Sequence, residues 1–504
     1  MLTPEYLLRV SEGGEEIAEI LHNEIIKQIV DRIAARLSRG DDYILTAYDK
    51  WQIEVLQDAG FLRADIEKEI AKHVKLMQEE IARAMEEAGI KAFEYDDAIY
   101  RAAGLSTTAL EKSPHLIRLM QRAYEATVGE WVNFTRTTAD ASQQAFIRAC
   151  DKAYTMVSSG AMGYGQAYAD AINDIVKDGV EVIYPSGHKD TIETATLRCI
   201  RTGVSQATAD ITDARMDEMN WDIILVSSHL GARVTDKEDF TNHYWWQGKF
   251  YSKSGKDPRF PPYSVCNEGH VQGIHGANCR HSHGPGDGEF NPFEHYDSEE
   301  NRKEYELQQR QRAMERRIRD SKRKCMGLEH GVQNAESEEA RLAANAEYQK
   351  QSALLKKRNE TYNEFCEQND LKKRSERITI AKWDRERAAK ARAAARKAEK
   401  SVAISGNGDK ITTRQSNIQF FANKSIQKQS SRALKKSMKS WESRMEEHIM
   451  WLSSPKLHDR HWDEKTPQHQ AGLLKHWQHE IETFRENIKE AKTELKKRGD
   501  YDDV

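Results

Sequence analysis

GEEIAEILHNEIIKQIVDRIAARLS, residues 14–38, carries an apolar side chain at every fourth position: Ile17, Leu21, Ile25, Ile29, Ile33 and Leu37. Ile26 and Val30 widen that face, and charged residues fill the other. This is the period of an amphipathic α-helix, not of a strand. Ser38, Gly40 and Asp41 close it. Residues 42–90 repeat the pattern, with Gly60 interrupting and Gly89 ending the last run. The first hundred residues therefore read as three or four amphipathic helices, whose apolar faces must pack on a sister helix or on a partner.

Proline and glycine divide the rest. Six of the ten prolines lie between 185 and 292, and eight glycines fall between Gly248 and Gly288. No proline occurs from 293 to 454. Irregular structure is thus expected in one central region. WDIILVS (221–227) is the best buried-strand candidate, with short strands expected at Lys249–Ser252 and around Tyr263–Val265. Tyr184-Pro185-Ser186-Gly187 reads as a turn. The segment 381–400 holds eight alanines and eight basic residues, so it reads as a helix that leans on a partner or is partly disordered alone. The predicted fold is predominantly α-helical, with a central α+β module of short strands and a Gly/Pro-rich loop, then extended basic helices. The expected divisions are an acidic helical assembly arm (1–110), an α+β core (111–300), a basic helical region (301–400), a linker (401–417) and a helical tail (418–504) with Trp441, Trp451, Trp462 and Trp477.

The 504 residues are 38% hydrophobic and 31% charged, poor in core material for a chain this long, as long solvated helices would be. The net charge of -4 hides an asymmetry. Residues 1–100 hold 12 basic and 22 acidic side chains, whereas 301–400 hold 27 and 17. An acidic surface that meets protein and a basic one that meets nucleic acid would look like this, and so would two solvated helices. Six cysteines are too few for a secreted disulfide framework, and neither a signal peptide nor a membrane-length apolar run is visible. The reading is a soluble protein made in a reducing cytoplasm.

Phosphate-loop, HExxH and GxSxG signatures are absent, so no enzyme class is indicated. The densest chemistry is CNEGHVQGIHGANCRHSH, residues 266–283. Cys266, His270, His275, Cys279 and His281, with His243 from upstream, are candidate ligands of a structural zinc, because thiolate and imidazole are its preferred donors. The spacing is not that of a zinc finger, and a loop ordered by hydrogen bonds is the alternative. If zinc binds, a closed shell of four ligands is expected. In the basic region, Arg312, Arg316, Arg317, Arg319, Lys322, Arg323, Arg392 and Arg396 are candidates for phosphate contacts without base reading.

The order of several short elements resembles the phage minor capsid protein 2 family, related to the Mu F-like head-morphogenesis proteins. They are MLTPEYLLRV at the start, Asn133–Thr137, Val157–Gly160, Tyr184–Gly187 and Arg201–Gln206. Then come His229…Arg233, His243…Trp246-Gln247-Gly248, and Gly273–His281, which includes Asn278 and Arg280. The arginine-rich stretch 309–319 completes the likeness, which covers about the first 330 residues. Two departures stand out: His283-Gly284-Pro285-Gly286 replaces an aromatic and Pro-Phe, and position 275 is His where Cys is frequent. The resemblance implies a minor structural protein of a tailed-phage or prophage head, synthesised in the host cytoplasm and placed at the portal vertex. Portal, capsid and scaffold proteins would be its partners, with non-specific handling of packaged DNA and no membrane. Two other readings remain open at this point. One is a metal-dependent hydrolase or nuclease built on His229, His243, His275 and His281. The other is a capsid-carried effector acting through the last hundred residues.

Overall fold

The computed structural model describes residues 1–40, 44, 48–405, 431–458, 462 and 467–500. Helices α1 (Pro4–Arg9), α2 (Glu12–Leu37), α3 (Tyr48–Ala102), α4 (Pro114–Ser158) and α5 (Tyr164–Asp178) lead into a hairpin, β1 (Glu181–Ile183) and β2 (Lys189–Thr191). Helix α6 (Ile192–Glu218) carries the chain into the central module, built on β3 (Ile223–Val226), one-turn α7 (His243–Trp246), β4 (Phe250–Ser252) and β5 (His283–Pro285). The basic region forms α8 (Ser298–Asn334), α9 (Glu338–Gln368), short α10 (Ser375–Ile378) and α11 (Arg385–Ser405). Helices α12 (Ser431–Ser453), α13 (Pro455–His458) and α14 (Pro467–Arg498) follow. The fold is predominantly helical with small sheet elements, as the periodicity predicts.

The α2 stripe packs inside the chain. Leu21, Ile25, Ile29, Ile33 and Leu37 are fully buried, each a gain of roughly 1.5–3 kcal/mol. They belong to one apolar cluster that draws on residues from Leu2 to Ala344, so 1–110, 111–300 and the start of 301–400 share a core. Helix α3 runs unbroken for 55 residues through both Gly60 and Gly89. A helical glycine costs about 1 kcal/mol. The buried row Trp51, Val55, Ala59, Leu62, Ile66 and Ile70 outweighs that cost at Gly60. At Gly89 the missing Cβ admits Met120, whose Cε would lie 3.1 Å from it. Close approach also explains Gly327 and Gly331 of α8. A Cβ there would meet Val176 at 2.5 Å and Ile172 at 2.3 Å, and the Tyr168 hydroxyl donates to the Gly331 carbonyl at 2.7 Å.

WDIILVS supplies β3, the central strand of an antiparallel sheet ordered β4-β3-β5. The strand expected at Lys249–Ser252 is β4, but Tyr263–Cys266 forms a 3-10 turn instead. Pro261 and Pro262 precede that turn, and Asn267 ends it in the left-handed region at φ 47°. The third strand, His283–Pro285, sits where glycine and proline argue against a strand; its register sets His283 opposite Val226. Tyr184–Gly187 is the hairpin turn, with Gly187 at φ 79°.

Asp297 caps α8 by accepting from the Glu299 and Glu300 amides, and Ser337 caps α9 from Ala340. Helix α11 finds its support within the chain: Ala391, Ala394 and Ala395 are buried, and Arg387 and Lys390 pair with Glu329 of α8. Among the described tail residues, α12 and α14 share an apolar core of Leu434, Met438, Trp441, Ile488, Ala491 and Leu495. Trp462 stacks on Trp477. Residues 406–417 of the expected linker lie outside the described residues. Among those described, no helix is long and apolar enough to cross a membrane.

Candidate metal centre

The 266–283 loop folds back on itself. The Ile274 amide donates to the Cys266 carbonyl at 3.0 Å and the Ala277 amide to that of Val271 at 2.8 Å. A Cβ on Gly273 would lie 2.1 Å from the Asn267 carbonyl oxygen, so only glycine fits there. His275 and Asn278 take left-handed conformations at φ 59° and 62°, which lets the loop deliver Cys279 and His281 beside α7.

There the Cys279 Sγ lies 3.6 Å from His281 Nδ1 and 3.8 Å from His243 Nδ1. All three side chains are buried. Their outer contacts fix which nitrogens face inward. His243 Nε2 is 2.8 Å from the Gln272 carbonyl oxygen, which can only accept, so Nε2 carries the proton. His281 Nε2 is 2.9 Å from Gln247 Oε1, the same oxygen that accepts the His229 amide at 3.1 Å. Both Nδ1 lone pairs therefore aim at the sulfur, the tautomer arrangement a metal-ligating histidine needs. The His281 amide donates to Sγ at 3.4 Å, which favours thiolate. Without an ion, burial, then Arg233, pushes His243 down to about 4; burial also drives His281 well below the ordinary histidine range and raises the Cys279 thiol.

One sulfur and two imidazoles fit zinc. Among the described residues three donors converge, not the four expected, so a fourth position is left for water or another ligand. The reason is local. Cys266 is buried in the same apolar cluster but is not among the converging donors, and His270 is exposed, edge-on to Phe240. His275 joins a second group with Glu268 and His283.

The other motif residues brace this centre. His229 stacks on His281 with centroids 4.5 Å apart, and Trp246 packs against His243 and His281. Arg233 donates to the Gln272 and Ala277 carbonyls, and with Asn278 it lines an open groove of about 810 Å³. Gly248 sits at φ 63° with a Cβ position 3.1 Å from Ser228 Cβ. Arg280 reaches Gln308 of α8 at 3.4 Å, and burial, then Arg312, lowers it to about 9. Gln247 is the contributor that residue type alone does not flag, since an amide is not a usual zinc ligand.

The basic candidates divide. Lys322 and Arg323 are buried: Lys322 donates to the Ile378 carbonyl, and Arg323 pairs with Glu193 at 2.6 Å. Arg319 donates to the Arg377 carbonyl at 2.8 Å, and Arg312 is half-buried. These four turn toward the chain because α8 is packed on several sides. Arg316, Arg317, Arg392 and Arg396 are exposed, with no ion-pair partner among the described residues.

Residues 2–356 match the family described as phage minor capsid protein 2. The chain is also similar to a structural protein of Lactococcus phage LL-H, 26% identical over 329 residues, which is 60% of this chain and 84% of that protein. No solved structure matches significantly. With most of its length matched, this phage structural protein belongs to the phage minor capsid protein 2 family.

Proposed function

We propose that this virion component sits at the portal vertex of the phage head, acts in head morphogenesis and touches the packaged DNA without reading its sequence. The observation that carries the proposal is the family match over residues 2–356. Contact with the portal has to use surface outside the core, so the α2 stripe is not available for it. Ile53, Leu56 and Phe61 of α3 expose 58%, 56% and 64% of their surface and are apolar side chains of α3 left for the portal ring to cover. The exposed arginines of α8 and α11 supply phosphate contacts. The Cys279 centre pins the central loop to α7 and so holds the module rigid.

Co-expression with the portal protein tests this. The wild-type chain co-purifies with portal rings. Leu56→Asp with Phe61→Asp stays folded, because both side chains are solvated, but is left out of the ring and of virions. Normal incorporation of that double variant removes Leu56 and Phe61 from the docking surface, and absence of the wild type from purified heads overturns the proposal itself.

A further inference from the structure

We propose that Glu268, His275 and His283 form a second cation site, of nitrogen and oxygen donors, that takes a first-row divalent ion such as zinc and is separate from the Cys279 centre. One donor atom from each lies within 4.8 Å of the others. They come from three places: the turn after Cys266, the left-handed loop position and the first residue of β5.

The two histidines face each other in the interior, with side chains 2% and 0% exposed. His275 Nε2 is 2.8 Å from His283 Nδ1. Glu268 Oε1 stands 3.9 Å from the same His275 nitrogen, and the Tyr263 hydroxyl 2.9 Å from His283 Nδ1. The outer nitrogens both meet α6. His275 Nδ1 is 2.7 Å from Ser205 Oγ, and His283 Nε2 is 3.6 Å from Asp213 Oδ1.

A carboxylate behind one imidazole and a hydroxyl behind the other is the outer arrangement that orients metal-ligating histidines. Asp213 calls for a proton on His283 Nε2, which leaves the Nδ1 lone pair facing inward. The Tyr263 hydroxyl, 2.9 Å away, shares that lone pair in the metal-free chain and has to turn its proton toward Glu268 when a cation binds. With Ser205 accepting from His275 Nδ1, the His275 Nε2 lone pair faces it. Two lone pairs at 2.8 Å repel unless a proton or a cation lies between them. Glu268 completes an N₂O donor set and brings negative charge for a dication.

A second observation points the same way. His283 Nε2 and Asp213 Oδ1 are both buried without a hydrogen bond, although the Lys253 ammonium stands 3.3 Å from the same Asp213 oxygen, so the carboxylate–histidine pair is in place but not closed. Zinc ligands at about 2.0–2.1 Å stand about 3.3 Å apart, so the rings need to open by roughly 0.5 Å, a shift that lets His283 re-seat against Asp213. When Ser205 donates instead, His275 Nε2–H fills the gap and the same residues form a metal-free chain.

The test uses the full chain stripped of metal and titrated with Zn²⁺, read by native mass spectrometry. The wild type is expected to take up two zinc ions and Cys279→Ser one. Adding Glu268→Gln to Cys279→Ser removes one of the three ligands and its charge, so the remaining zinc should weaken by at least about 10–100-fold, the range seen when even an outer supporting group is lost. Glu268 is 30% exposed, so this change leaves the core intact. Loss of all zinc from a folded Cys279→Ser chain, or unchanged affinity with Glu268→Gln, overturns the proposal. One zinc that is lost with Glu268→Gln but kept with Cys279→Ser supports it while removing the Cys279 centre. Cobalt titration of the wild type covers a variant that does not fold. One equivalent should give thiolate charge-transfer absorption and the other only visible ligand-field bands; saturation after the thiolate-bearing equivalent alone overturns the second site.

Discussion

The guanidinium of Arg323 on α8 lies 2.6 Å from the carboxylate of Glu193 on α6, with the two side chains 5% and 1% exposed. His22 of α2 approaches the other Glu193 oxygen at 2.8 Å, so one buried acid ties three helices together. Against the penalty of burial, Arg323 and then His22 hold Glu193 well below the usual carboxylate range. Removing one partner of such a pair leaves a bare buried charge. Arg323→Met should therefore lower stability by about 3–5 kcal/mol, read from the shift in urea midpoint. Arg323→Met with Glu193→Met should recover a large part of that loss, because the buried Glu193 charge is then gone as well, while Glu19, 3.5 Å from Arg323, loses that partner in both variants.

Glu19, also on α2, supplies the pH dependence. Burial raises it to about 7, despite Arg323 at 3.5 Å. Its folded value lies above its unfolded one, so between about pH 4.5 and 7 the folded chain holds a proton that the unfolded chain has released. Stability therefore falls as pH rises through that window and stays low above it. Glu19→Gln should add roughly 1–3 kcal/mol at pH 8 and nothing at pH 4, as measured by denaturant melts at the two pH values.

For DNA, the four exposed arginines give a countable expectation. Each neutralised phosphate contributes about 0.9 to the slope of log affinity against log salt. Changing Arg316, Arg317, Arg392 and Arg396 to Gln should flatten that slope by about 3–4 in fluorescence titrations with unrelated duplexes. Arg323→Met should leave it unchanged, since that charge faces Glu193.

At the candidate metal centre, the least obvious residue makes the sharpest test. Gln247→Leu removes the acceptor that holds the proton on His281 Nε2, without touching a ligand. Zinc affinity should fall about 10–100-fold, while Cys279→Ser abolishes binding at this centre and lowers the melting temperature in parallel. Competition with a chromophoric chelator reads both.

The helical face of α2, the strand at 223–226 and the turn at 184–187 were all legible because each depends on neighbours in sequence. What was not legible depends on contacts far along the chain. Gly60 looks like an interruption of the helix until the buried row beside it is counted. Tyr263–Cys266 has strand residues but follows two prolines. Lys322 and Arg323 differ from Arg316 and Arg317 only in which side of α8 they occupy, and charge content does not show that. The Cys/His loop pointed to metal chemistry, yet His275 and Cys279, four residues apart, face different clusters because His275 takes the left-handed conformation.

The shared core that runs from Leu2 to Ala344 bears on synthesis. Leu328, Ala340 and Ala344 complete packing that the α2 stripe begins, about 300 residues earlier. At roughly 5–20 residues per second, a ribosome needs about 15–60 s to cover that distance. Throughout that interval the nascent chain presents an isoleucine-rich helix with its last covering elements still unmade. Final closure of this core therefore waits for the residues near Ala344, so the α2 face gains its last cover only late in synthesis.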